Sequence, residues 1–163
     1  MIEPKIIQIE KEIDCLGLSI RTTDKTVYQD LPRLYEKYMK LKDEGRVKNI
    51  KEPWEYISLS NNYSDSESWD YYTGYVVTGN EANQDELICF SVPAGTYAIF
   101  EIRCKSKFFF GFKMGRMKRY IFTKWLPQSG YEFTGCDYEY NNAEMHQKNT
   151  YDIDLYIGIK KQE

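Results

Sequence analysis

Residues Gly95-Thr96-Tyr97-Ala98 repeat the pattern of Gly17-Leu18-Ser19-Ile20, and the two stretches lie about 80 residues apart. Further landmarks recur at the same offset. A helix led by Leu31 is matched by one around Phe112, and Tyr72-Thr73-Gly74-Tyr75-Val76 is echoed by Leu155-Tyr156-Ile157-Gly158-Ile159. Each half therefore reads as a β-α-β-β unit, and one such unit cannot cover both sides of its own sheet. Two units related by a pseudo-two-fold axis would share one antiparallel sheet, with helices on one side and a ligand cleft at their junction. The expected fold class is α+β. At 163 residues the chain reads as one domain over 1–163, with halves of about 1–80 and 86–163.

The elements around these landmarks follow from periodicity and punctuation. Alternating apolar residues predict strands at 6–10, 16–21, 54–59, 71–78, 96–103, 138–141 and 153–160, with a short one at 90–92. Asp30 can cap a first helix in which Leu31, Leu34, Tyr35, Tyr38 and Leu41 keep helical spacing, and Gly45 can stop it. A second helix is expected over about 112–125, with Met114, Met117, Ile121 and Trp125 on one face and Pro127 ending it. The Lys107-Phe108-Phe109-Phe110-Gly111 run before it is an unusual lead into a helix.

Just past that helix, Asp137-Tyr138-Glu139-Tyr140 sets one carboxylate, Glu139, between two tyrosines. A carboxylate among rings can hold a cationic or polarised flat ligand, or it can serve as a desolvated acid or base. The plainer alternative is an exposed strand carboxylate, or one paired with a nearby lysine. Fifteen tyrosines, eight phenylalanines and three tryptophans stand beside a single histidine, so any chemistry rests on carboxylates and aromatic hydroxyls. Tyr72, Trp125, Tyr138 and Tyr156 are the expected cleft lining beside Glu139. Asp65 and Glu67, in a polar loop next to Trp69, can cover a cleft mouth.

The formal net charge of −3 argues against general nucleic-acid binding. Its distribution is uneven. From Glu52 to Ile102 there are nine acids and no lysine or arginine, whereas Arg103 to Lys124 holds eight basic residues and no acid. Solvated faces explain such blocks most simply, though they can also steer a charged partner. Cys15, Cys89, Cys104 and Cys136 are scattered, the N-terminus has no signal-peptide pattern, and no apolar run approaches spanning length. The expectation is a cytoplasmic protein with reduced cysteines and no membrane partner. His146 stands alone and no carboxylate cluster has ligand spacing, so neither a metal nor a cofactor is expected.

Val92-Pro93-Ala94-Gly95-Thr96-Tyr97-Ala98, Trp125-Leu126-Pro127-Gln128-Ser129-Gly130-Tyr131-Glu132, Tyr138-Glu139-Tyr140 and Asp154-Leu155-Tyr156-Ile157, in that order, resemble the GyrI-like family. This is the AraC-type effector-binding domain of multidrug-responsive transcription regulators of the BmrR and Rob type. The resemblance implies a duplicated β-α-β-β fold and a hydrophobic cleft with a glutamate at its floor, which falls on Glu139. With no helix-turn-helix ahead of the domain, it implies a stand-alone member without direct DNA binding. The leading expectation is binding of a hydrophobic, planar small molecule, with or without positive charge, anchored by Glu139. The resemblance also implies two alternatives. One is a cofactor-independent hydrolase that opens cyclopropane rings of DNA-alkylating natural products, a detoxification in which Glu139 activates water. The other is a protein partner that modulates DNA gyrase.

Overall fold

The structure, a computed structural model, describes residues 2–79 and 86–163. Eight antiparallel strands form one sheet in the order β1-β6-β8-β7-β3-β4-β2-β5. In sequence they are β1 (Lys5–Ile9), β2 (Ile13–Thr23), β3 (Glu55–Asn61), β4 (Ser68–Val76), β5 (Ile88–Val92), β6 (Gly95–Ile102), β7 (Tyr131–Asn142) and β8 (Ile153–Lys161). Helix α1 (Val27–Asp43) follows β2, and α2 (Lys107–Tyr120) follows β6. The α+β class and the duplication are as expected. Units β2-α1-β3-β4 and β6-α2-β7-β8 meet along the β3–β7 pair. Each unit also takes the other's leading strand, because β1 pairs with β6 and β5 pairs with β2.

That exchange fixes the curvature of the sheet. Strands β5 and β6 stand six positions apart in strand order but are joined through Pro93 and Ala94 alone. A flat sheet would separate them by about 29 Å, whereas the step from Val92 to Gly95 spans at most about 11 Å. The sheet must therefore curl until its ends meet. The Tyr97 hydroxyl donates to Pro93 O at 2.7 Å across this corner. Cys15, Ile57, Leu59, Val76, Phe90, Val92, Tyr97 and Tyr138 fill the concave face, drawn from both ends of the sheet.

Both helices cover the opposite, convex face. Leu34, Tyr38 and Leu41 of α1 pack on Leu16, Leu18, Tyr71 and Tyr75. Buried Tyr38 inserts its hydroxyl between facing strands, donating to Leu16 O at 2.6 Å and accepting from Tyr75 N–H at 3.1 Å. Beside this point Gly17 faces Gly74, and a Cβ at Gly17 would lie 1.8 Å from Thr73 O. Only glycine allows so close an approach.

Helix α1 begins at Val27, four residues earlier than Asp30 suggested. Asp30 lies inside the first turn, where its carboxylate accepts from Thr22 Oγ1 at 2.9 Å. Gly45 ends the helix as expected. It adopts φ of 73°, its N–H reaches Lys42 O, and Arg46 N–H reaches Leu41 O, a Schellman closure.

The second helix departs further from expectation. It starts at Lys107, so the phenylalanine run is helical, and it continues past Pro127. A π-helical turn (Ile121–Trp125) widens it, with Leu126 N–H bonded to Ile121 O, before α3 (Leu126–Gln128) completes it. Proline sits in the first turn of that last segment, where its missing N–H is tolerated. Gly130, at φ of 78°, then turns the chain into β7. Strand β7 is longer than the expected 138–141 and carries a bulge between Phe133 and Asp137, with Gly135 at φ of 91°. His146 closes a short helix α4 (Ala143–His146) and rests edge-on against Trp54. None of the four cysteines is in a disulfide. Asn80, and Glu81 and Asp85 of the acidic block, lie outside the described residues.

Candidate functional site: a polar seam between the two units

Residues paired directly across two strands point to the same face, and neighbours along one strand point to opposite faces. Ser58 pairs with Glu139, Ser60 with Asp137 and Tyr56 with Asn141 along the β3–β7 seam. Tyr56 packs against Tyr35 and Tyr38 of α1, while Leu155, opposite Glu139 on β8, belongs to the core beneath α2. Glu139 and Asp137 therefore lie on the convex face, at the line where α1 and α2 leave the sheet between them.

The seam is polar because helix coverage ends there. Thr73 Oγ1 hydrogen-bonds with the Tyr56 hydroxyl at 2.6 Å and with Ser58 Oγ at 3.0 Å. Asp137, 2% exposed, accepts a short hydrogen bond from the Tyr63 hydroxyl and faces Lys118 of α2, whose Nζ is 3.5 Å from Oδ2. Tyr63 in turn stacks on Trp69, with ring centroids 5.9 Å apart, and meets Phe133 edge-on. Tyr63 belongs to the loop 62–67, so that loop does reach over the seam. It does so through a tyrosine rather than through Asp65 or Glu67. Tyr63 and Lys118 both close over Asp137.

Glu139 differs from its neighbour. Among the described residues no group donates a hydrogen bond to its carboxylate. Burial pushes its pKa up; Lys118 draws it partly down and the Asp137 charge adds to the rise. Two residues along the strand, on the same face, Asn141 Oδ1 is buried without a hydrogen-bond partner. Burial pushes up the hydroxyls of Tyr63 and Tyr71, beside Asp137 and Glu139, so both stay protonated as donors. The Lys118 ammonium is held above its ordinary value: burial opposes the charge, but Asp137 and Glu139 outweigh it. The site thus holds two carboxylates against one lysine, with acceptors to spare. Such a set favours a cation or a hydrogen-bond donor.

The other four expected lining residues are not beside Glu139. Tyr138 and Tyr156 stack at 4.4 Å and 15° on the concave face, where Tyr97 meets both. Tyr72 also points there, tilted on Phe90 at 5.5 Å. Strand alternation separates them, since Tyr138 precedes Glu139 and must face the other way. Trp125 is on the convex side but is buried under the helix, edge-on to Phe100 at 5.2 Å and stacked on Tyr131. The seam residues that sequence reasoning missed are Asp137, Asn141, Lys118, Tyr63, Trp69 and Tyr71. The i, i+2 spacing of Asp137 and Asn141 from Glu139 was the available signal for two of them.

No three His, Cys, Asp or Glu side chains gather as a metal site among the described residues. Nor is any described helix long and apolar enough to cross a membrane.

This architecture recurs in solved structures. An integron cassette protein from the mobile metagenome of Vibrio cholerae superposes with a TM-score of 0.71 at 15% identity, covering 97% of this chain and 96% of that one. SAV2435, solved bound to tetraphenylphosphonium, gives a TM-score of 0.69 at 14% identity over 98% and 94%. The C-terminal domain of EcmrR gives 0.57 at 15% identity over 98% and 99%. These likenesses concern the fold. No curated protein matches the sequence. A family model described as integron-associated effector binding protein, Cass2, matches residues 6–159, and the chain belongs to that family.

Proposed function

We propose that the chain binds a lipophilic, ring-bearing cation at the β3–β7 seam, with Glu139 as the charged anchor. The observation that carries this reading is the state of Glu139: a carboxylate beside Lys118, Asp137 and the Tyr71 hydroxyl that accepts no hydrogen bond among the described residues. Membership of an effector-binding family supports it, and so does the tetraphenylphosphonium held by the fold relative SAV2435.

In this reading the ligand's positive charge replaces Lys118 beside the two carboxylates. Lys118, whose side chain is already 34% exposed, swings outward, and Tyr63 withdraws with its loop. Tyr71 and Trp69 then offer ring faces to the cation. At about 4 Å and an effective dielectric of about 20, a charge pair contributes about 4 kcal/mol before desolvation is subtracted. Glu139→Gln keeps the shape and removes the charge, so it separates this term from apolar contact.

The test is titration with tetraphenylphosphonium followed by tryptophan fluorescence, since Trp69 borders the seam. Saturable binding is expected, weakened about tenfold or more by Glu139→Gln, equivalent to about 1.4 kcal/mol. Absence of saturable binding, or equal affinity in the variant, contradicts the proposal.

A further inference from the structure

The first turns of α2 carry apolar surface that the fold leaves uncovered. Phe108 is 86% exposed, Phe109 55% and Phe112 65%. Spacing explains the arrangement. Phe110, Met114 and Met117 pack toward the core, which turns Phe108 and Phe112, four apart, outward on one stripe. Arg116, four residues further, lies over the Phe112 ring at 5.7 Å. Lys105, Lys107, Lys113 and Arg116 flank these rings in sequence, and the chain from Arg103 to Lys124 holds no acid. Exposed rings at a helix tip, flanked by lysine and arginine, offer apolar contact and positive charge together to an anionic lipid–water interface.

A hollow of about 470 Å³ opens beside the same turns, lined in part by Arg103, Lys105, Phe109, Lys113, Thr150 and Asp152. Two observations suit it to a phosphate-bearing headgroup. The buried Thr150 Oγ1 has no hydrogen-bond partner, and Ser106, where α2 begins without a side-chain cap, is in the same lining. The one carboxylate in the lining, Asp152, is engaged: it accepts from Cys104 N–H at 3.3 Å and stands 4.0 Å from Arg103.

We infer that the α2 tip docks on an anionic membrane surface. Phe108 and Phe112 enter the headgroup–acyl boundary, and Lys105, Lys107, Lys113 and Arg116 meet lipid phosphates. The absence of a spanning run does not bear on this, because an interfacial helix needs none. Charge selects the occupant. A bilayer rich in phosphatidylserine complements the basic ring, whereas a second copy of this chain would bring the same positive tip to a symmetric contact.

Sedimentation of the full chain with mixed phosphatidylcholine–phosphatidylserine vesicles tests the inference, with phosphatidylcholine vesicles as the comparison. Enrichment on the anionic vesicles, reversed by high salt, is expected. Phe108→Ser/Phe112→Ser changes only exposed side chains; it should lower partitioning at least tenfold with an unchanged circular-dichroism melt. Lys105→Ala/Lys107→Ala should lower it about fivefold per lysine and flatten the salt dependence. Equal binding to neutral vesicles, no binding to either, or a phenylalanine variant that partitions like wild type overturns it. So does a dimer in solution that the phenylalanine variant dissociates, which would make a second copy the occupant. Each of these outcomes leaves the seam reading untouched.

Discussion

Lys118 Nζ stands 3.5 Å from Asp137 Oδ2, and Glu139, two residues along the same strand face, is left to share that one cation at longer range. The imbalance sets what the seam can accept. Asp137 is satisfied by Lys118 and Tyr63, and Glu139 is not. An incoming positive charge gains most at Glu139, while an anion meets repulsion from both carboxylates.

Lys118→Met should therefore couple stability to ligand more strongly than in the wild type. Removing the resident cation costs about 1–2 kcal/mol, less than the 3–5 of a fully buried pair because Lys118 is partly exposed. Thermal melts with and without tetraphenylphosphonium check this. The ligand-induced rise in Tm should exceed that of wild type; an equal or smaller rise would place the cation elsewhere.

Glu139 also makes stability depend on pH. Its folded pKa is raised above its unfolded value, so its contribution is fully present below the unfolded pKa and is lost as pH rises through the folded one. Glu139→Gln removes that loss. The variant should melt higher than wild type at neutral pH, by about 2–4 °C for each 1 kcal/mol released, and the difference should close on acidification. Cation affinity in the wild type should fall over the same acid range as Glu139 takes up its proton. A variant that melts lower at neutral pH would show that Glu139 is stabilised by partners rather than strained.

Tyr63→Phe removes one of the two partners of a buried carboxylate. An unsatisfied acceptor of this kind costs about 1–3 kcal/mol. The stacked ring on Trp69 remains, so Trp69 emission should shift little in the free protein while the melt falls. A melt unchanged within error would mean that the Tyr63 hydroxyl does not hold Asp137 in solution.

Tyr138 serves as a control for the face. It is 1% exposed and stacked on Tyr156 inside the curled sheet, so Tyr138→Ala should cost about 3–5 kcal/mol, as large aromatic-to-alanine changes in cores do. Binding at the seam should survive in the fraction that remains folded. Loss of affinity in Tyr156→Phe, which keeps the ring and removes only the hydroxyl, would move the ligand to the concave face.

Much of this architecture was legible in the sequence. The repeat of Gly17-Leu18 at Gly95-Thr96 and of Tyr72-Val76 at Leu155-Ile159 pointed to the two units, and helical spacing from Leu34 to Leu41 located α1. The exchange of leading strands was not legible, because nothing local tells β1 to pair with β6 rather than with β2. Helix α2 was shortened at one end by the Lys107–Gly111 run, which read as a lead into the helix rather than as its first turn. It was shortened at the other by Pro127, which a π-helical turn accommodates. Glu139 was singled out in the sequence as the carboxylate of the candidate site. Its aromatic neighbours in sequence were mistaken for its neighbours in space, although the strand period of two sends Tyr138 and Glu139 to opposite faces. Tyr63 follows β3 and reaches Asp137 through the pairing of β3 with β7, whereas Lys118 reaches it from α2 of the same unit.

The central claim is that Glu139 carries the charge that anchors a cation. Carboxyl carbon chemical shifts of glutamate, recorded against pH with and without tetraphenylphosphonium, test it most directly. The account predicts one glutamate, assigned by its loss in Glu139→Gln, that titrates above the others in the free protein and falls toward or below them when the ligand is bound. An unshifted Glu139 titration in the presence of saturating ligand would contradict it.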